Sequence, residues 1–235
     1  MTEKKDNLPV TQLKALIEFR KHNEAPVDTM GCHTLGETER PNIYRFQTLI
    51  SLILSAQTRD QQTSKAVKNL QQMKGGLTPE VLASKTEEEI SPLIQPVGFY
   101  QKKAGNIIKV AQICRDKYNS DIPKAFEELT SLPGVGVKIA TLTMNVAWKQ
   151  RSGIGVDVHV HRIANRIGWC HTSKPDDTEK ELQKIFPKEY WEPINRTLVG
   201  FGQTFCNAKS PKCDFCPIFK TCKLSQNDIE ESGSD

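Results

Sequence analysis

Two titratable residues stand at the starts of helical segments, where their surroundings change what they can do. Lys138 opens a run that is otherwise almost wholly apolar as far as Trp148, through Ile139, Ala140, Leu142, Met144, Val146 and Ala147. Desolvation by such a helix and the positive end of its dipole both disfavour the ammonium form, pushing the amine toward its neutral, nucleophilic state. The same lysine also suits a simpler task, reaching out from the helix end to bind phosphate, and on this residue alone both readings stand. Asp157 precedes Val158–Ile167, whose Val160, Ile163, Ala164 and Ile167 form a helical stripe, so it falls where that helix needs an N-cap. A carboxylate held there is fixed and stays ionised, which also suits stabilising a cation or moving a proton. His159 and His161 read as surface or phosphate-contacting residues, not catalytic ones.

A third constellation is inorganic in character. Cys206, Cys213, Cys216 and Cys222 lie within 17 residues, spaced Cys-x6-Cys-x2-Cys-x5-Cys in a loop that carries Pro211 and Pro217. Structural zinc sites usually use two short cysteine pairs, and only Cys213 and Cys216 form one. The wider gaps suit one larger object, so a [4Fe–4S] cluster bound through thiolates is favoured over zinc. Disulfides fit poorly, since the chain has seven cysteines, an odd number, and no secretory signal segment is evident. Cys32, Cys114 and Cys170 read as ordinary small residues.

The elements that must position these groups are helices. No segment keeps the period-two alternation of a half-buried strand, and the fold class is all-α. A helix is expected from Asn42 to Ser55 through Phe46, Leu49, Ile50, Ile53 and Leu54, and another from Asp60 to about Met73. Thr86 with Glu89 has the pattern of a capping box, although Pro92 conflicts with a long helix there. A longer helix is expected from about Lys102 to Tyr118, with Ile107, Ile108, Val110, Ala111 and Cys114 inward, and Asp121-Ile122-Pro123 should begin the next. Leu132-Pro133-Gly134-Val135-Gly136 then reads as a tight helix-to-helix turn. Its two glycines allow positive φ and leave N–H groups uncovered at the following helix start, which suits a phosphate oxygen.

Composition sets the outer limits. The 235 residues suffice for one or two domains, and no apolar run approaches the ~18 residues of a membrane span. A net charge of +4, from 32 Lys plus Arg against 28 Asp plus Glu, permits a polyanionic partner without requiring one. Both ends, Met1 to about Asn7 and about Ser225 to Asp235, are polar enough to stay unfolded.

Leu132 to Ala140 as a helix-hairpin-helix, Gly155-Val156-Asp157-Val158-His159 and the four-cysteine loop together resemble the endonuclease III family of DNA glycosylases. The likeness spans about Leu8 to Leu224. Pro96-Val97-Gly98-Phe99-Tyr100 and Val199-Gly200-Phe201-Gly202-Gln203 bring it nearest to the eukaryotic endonuclease III-like proteins. The resemblance implies two helical domains flanking a DNA-binding cleft: a six-helix barrel with the hairpin over 39–151, and a discontinuous cluster domain from 1–38 and 152–224, with 225–235 as an acidic tail. It implies Lys138 as nucleophile and Asp157 as catalytic carboxylate, with the cluster on Cys206, Cys213, Cys216 and Cys222. Gln57 would fill the gap left by an extruded base, Phe99 would probe the opposite wall, and Pro133, Gly134, Val135, Gly136 and His159 would contact DNA. Val137 stands where bacterial members often carry a basic residue.

The activity so implied is a monomeric base excision repair enzyme acting on double-stranded DNA with oxidised bases or abasic sites, in the nucleus or mitochondrion. A non-catalytic DNA-binding module is the alternative from another class, and the pairing of Lys138 with Asp157 argues against it. Adenine glycosylases lack the lysine, and 8-oxoguanine glycosylases usually lack the cysteine loop.

Overall fold

The structure, a computed structural model, describes residues 7–224. Of the polar ends expected to stay unfolded, Met1 to about Asn7 and Ser225 to Asp235, all but Asn7 lie outside the described residues; Asn7 caps the first helix, accepting from the Val10 N–H at 3.0 Å. Twelve α-helices follow among the described residues, with no strand: α1 (Leu8–Lys21), α2 (Pro26–Met30), α3 (Pro41–Ser55), α4 (Asp60–Gln71), α5 (Pro79–Ala83), α6 (Glu87–Ile94), α7 (Tyr100–Lys117), α8 (Phe126–Thr130), α9 (Val137–Val146), α10 (Val158–Ile167), α11 (Pro175–Ile185) and α12 (Trp191–Thr204). The chain divides into two compact units, Thr29–Ser152 and the combination of Met1–Asp28 with Gly153–Asp235.

The Thr29–Ser152 unit is organised on α3. Its Phe46, Leu49, Ile50, Ile53 and Leu54 are buried, and the helix packs against α4, α7 and α9. The inward residues expected of α7, from Ile107 to Cys114, are all buried. Leu35 joins this same core, which is why residues 29–38 group here and not with the N-terminal segment as expected. The capping box of α6 is formed: Thr86 Oγ1 accepts from the Glu89 N–H (3.4 Å), and Glu89 Oε2 accepts from the Thr86 N–H (2.9 Å). Pro92 is tolerated inside that eight-residue helix, which ends two residues later at Ile94. Asp121 does not start a helix. It takes Arg45 Nε at 2.9 Å instead, and α8 begins only at Phe126.

In the other unit α10 packs on α11 and α12, and α1 lies along α12. Phe19 meets Phe205 edge-on at 4.7 Å, as Trp169 meets Phe186. Gln12 is 3% exposed and fully used: it accepts from Trp169 Nε1 (2.8 Å) and donates to the Thr221 carbonyl (2.8 Å). A buried amide without partners would be destabilising, so these bonds fix α1 against the cysteine loop it helps to hold.

Candidate active site

The hairpin forms between α8 and α9, closed by a bond from the Val135 N–H to the Leu132 carbonyl at 3.1 Å. Gly134 has φ +79, a conformation that strains any residue with a side chain, and a Cβ there would also stand 2.7 Å from Asn106 Nδ2, which would have to move aside. Gly136 corrects the expectation of a second positive φ. It is the extended N-cap of α9, with φ −94 and ψ 178, and has open space around it. No side chain caps α9, so its first N–H groups are open to an anion. Pro133 is half-buried and Val135 buried, whereas Val137 is 55% exposed.

Lys138 follows in the first turn, and here too the structure corrects the sequence. The amine is exposed, and it makes no hydrogen bond or ion pair with the described residues. The apolar neighbours that were to desolvate it, Ala140 and Met144, are buried on the inner side of α9. What the fold provides at Lys138 is a free amine beside an uncapped helix start.

Gln57 and Phe99 occupy the corner after α3 and the turn before α7. Both adopt the left-handed region, with φ 53 and 56, and both are exposed, Phe99 by 69%.

Asp157 caps α10 as expected. Its Oδ1 accepts from the His159 N–H (2.9 Å) and the Val160 N–H (2.8 Å), leaving Oδ2 without a hydrogen bond among the described residues. The preceding loop is held by Asn195, whose Nδ2 donates to the Gly155 carbonyl at 2.5 Å. His159 is partly buried, its Nδ1 3.2 Å from Arg162 Nη2. Arg162 also donates to the Cys206 carbonyl (2.9 Å), and Arg166 to Cys206 Sγ (3.4 Å) and the Asn207 carbonyl (2.8 Å). One rigid helix therefore carries the aspartate at its start and grips the first loop cysteine from its side.

Cys206, Cys213, Cys216 and Cys222 are in no disulfide, and they line one cavity together with Phe201, Phe205 and Phe219. Burial pushes the Cys216 thiol up to about 11, and the other three cysteines push in the same direction. Among the described residues, no three Cys, His, Asp or Glu side chains gather as ligands of one metal ion. Four thiols around an apolar cavity, with the Arg166 guanidinium reaching one sulfur, fit a group that binds several thiolates at separate points. Lys209, Lys212, Lys220 and Lys223 are exposed around this loop.

Residues 50–188 match the family model of the HhH-GPD superfamily base excision DNA repair proteins. Over 232 residues the chain is 44% identical to endonuclease III homolog 1, chloroplastic, of Arabidopsis thaliana, covering 96% of this chain and 61% of that protein. It is 43% identical to endonuclease III-like protein 1 of Gallus gallus over 218 residues, covering 89% of this chain and 77% of that one. The chain belongs to the endonuclease III branch of the HhH-GPD superfamily. Its fold agrees: a trapped endonuclease III–DNA covalent intermediate, the estranged-adenine complex, superposes with a TM-score of 0.79 at 31% identity, over 97% of this chain and 100% of that one. The chain spans only about 61% of the length of the Arabidopsis relative.

The HhH-GPD match takes in Gln57, Phe99, the hairpin, Lys138, Asp157 and His159, and stops short of the cysteine loop. Several residues around these positions carry no signal in the sequence. Val158, beside Asp157, is 71% exposed, and Phe215, between two loop cysteines, is 72% exposed. Neither belongs to an apolar stripe, so periodicity does not single them out. Lys103 and Thr58 support the Gln57 and Phe99 turns from within.

Proposed function

We propose that this chain is a bifunctional DNA glycosylase and abasic-site lyase of base excision repair, acting as a monomer on oxidised pyrimidines in double-stranded DNA. Nuclear DNA is the proposed setting, with mitochondrial DNA a second one. The observation that carries the reading is Lys138, an exposed amine with no bonding partner in the first turn after the hairpin. What sets it apart from the other exposed lysines is its place, beside the uncapped start of α9 and the open N–H groups of the hairpin.

In the proposed reaction the hairpin N–H groups and the α9 start hold backbone phosphate, while Gln57 fills the space vacated as a damaged nucleotide swings out and Phe99 probes from the opposite wall. Extrusion costs roughly a few kcal/mol, least for a base already poorly stacked, which favours lesions. The Lys138 amine is exposed in the free protein and so open to the extruded sugar. The amine nitrogen attacks C1′ of the sugar, the C1′–N glycosidic bond breaks, and the base leaves with the bonding pair. Loss of an amine proton and opening of the ring give an iminium. That iminium acidifies the C2′ proton, whose removal breaks the C3′–O bond and releases the downstream strand with its phosphate. Asp157, through the oxygen not committed to the cap, stabilises the positive charge on the sugar and assists proton transfer.

Cys206, Cys213, Cys216 and Cys222 are the proposed ligands of a [4Fe–4S] cluster. When bound it would supply iron for the four cysteine thiolates and so hold the loop in one shape. The surrounding lysines then face both the cluster charge and DNA phosphate.

Borohydride reduction in the presence of abasic-site DNA tests the central claim. The native protein should be captured as a covalent adduct and Lys138→Gln should not. Capture that survives in Lys138→Gln would sink the assignment, and intact binding with no capture by the native protein would favour a non-catalytic DNA-binding module.

A further inference from the structure

The Gln57 corner and the Phe99 turn are tied together by a buried cation. Lys103, near the start of α7, is 7% exposed, and its Nζ donates to the carbonyls of Leu54 (2.8 Å) and Ala56 (2.5 Å) and to Thr58 Oγ1 (3.3 Å). Those carbonyls belong to the end of α3, where a helix runs out of its own donors and presents the negative end of its dipole. Three ammonium protons thus meet three acceptors, which is what a buried lysine requires. Burial nevertheless lowers its pKa to about 8.

Thr58 makes the second link. Its hydroxyl accepts from Lys103 and from the Gly98 N–H (3.2 Å) and donates to the Ala56 carbonyl (3.2 Å), using its full capacity of one donor and two acceptors. The two backbones also touch: a Cβ on Gly98 would lie 3.1 Å from the Gln57 carbonyl oxygen. Gln57 and Phe99 each adjoin this knot, both are non-glycine residues in the left-handed region, and both point their side chains into solvent. Such backbone strain persists only where the surroundings over-determine it. Here the surroundings are Lys103, Thr58 and the close pass at Gly98.

We infer that Lys103 and Thr58 are positioning residues that weld the Gln57 corner and the Phe99 turn into one rigid two-pronged element, which enters damaged DNA as a unit. The inference rests on the DNA repair function proposed for this chain and adds to it that the two prongs do not act independently. Truncating either prong leaves the other still mounted but without its counterpart across the gap, so the two losses must overlap.

A double-mutant cycle on base extrusion tests this, using a duplex with an abasic site and 2-aminopurine next to it, whose fluorescence rises when it unstacks. In the native background Gln57→Ala and Phe99→Ala should each slow extrusion about 10-fold, and together about 20-fold instead of 100-fold, a coupling within the range of contacting residues. In Thr58→Val, which removes the bridging hydroxyl, the two effects should multiply, and Thr58→Ser should restore the overlap. Simple multiplication in the native background would overturn the inference, as would undiminished coupling in a folded Thr58→Val protein. The native-background cycle stands without Thr58→Val, so a folding failure of that variant does not shield the idea. A native protein that neither binds this duplex nor unstacks the probe would overturn the functional reading itself, and this inference with it.

Discussion

Replacing Asp157 separates its two duties, because asparagine keeps one and loses the other. In the structure Oδ1 accepts two backbone N–H groups at 2.9 and 2.8 Å, and this cap needs an oxygen but not a charge. Asparagine caps about as well as aspartate, so Asp157→Asn should lose only the charge–dipole contribution, about 0.3–1 kcal/mol. For a protein of this size that corresponds to a fall in Tm of about 1–4 °C. Asp157→Ala removes the cap as well, a further loss of about 0.5–2 kcal/mol. If Asp157 also stabilises the charged sugar and moves protons, both variants should lose about 10²–10⁴-fold in base release. The assay is single-turnover release from a thymine glycol duplex, with duplex affinity and thermal melting measured on the same samples. The expected pattern is a near-native Tm and affinity for Asp157→Asn with base release lost. Base release within a few fold of native in Asp157→Asn, falling only in Asp157→Ala and in step with Tm, would reduce Asp157 to a cap.

Other outcomes follow from the loop lysines, the thiols and the buried amine. Changing Lys209, Lys212, Lys220 and Lys223 to Glu should weaken duplex binding and flatten its salt dependence, by about 0.9 in slope for each phosphate no longer neutralised; unchanged affinity at low salt would refute their part in holding DNA. Purified protein should be coloured by an iron–sulfur chromophore that Cys213→Ala diminishes, and a colourless, zinc-loaded, active protein would exclude the cluster while leaving the lysine chemistry intact. Lys103, with a folded-state pKa of about 8 against ~10.4 unfolded, makes the unfolded chain bind more protons between those values, so its contribution to stability rises with pH across that window. Denaturant unfolding at both ends should show this rise in the native protein and its loss in Lys103→Met, other titrations cancelling in the comparison; parallel curves would refute it.

What was legible in the sequence was what is encoded over three or four residues. The Asp157 cap, the Thr86–Glu89 box and the inward faces of α7 and α10 depend on helical spacing alone, and all are present. Asp121 shows where that logic fails. As a residue before Ile-Pro it looks like a helix start, but Arg45, 76 positions away, claims its carboxylate, and no local rule can see that competition. Lys138 fails in the same direction: the mean character of α9 is apolar, whereas exposure depends on which side of the helix faces the core, and Lys138 is on the other side. Lys103 did leave a trace, since it falls in register with Ile107, Val110 and Cys114 on the buried face of α7, where an unpaired lysine would be untenable. Its partners, however, are carbonyls at the end of α3, 47 and 49 positions away, and only the fold supplies them. The groups proposed to do the chemistry are thus set by local sequence, while the mounting of the groups proposed to enter DNA is tertiary. It follows that substitutions far from Lys138 in sequence, at Thr58 or Lys103, should disturb DNA entry while leaving the reactivity of the amine alone.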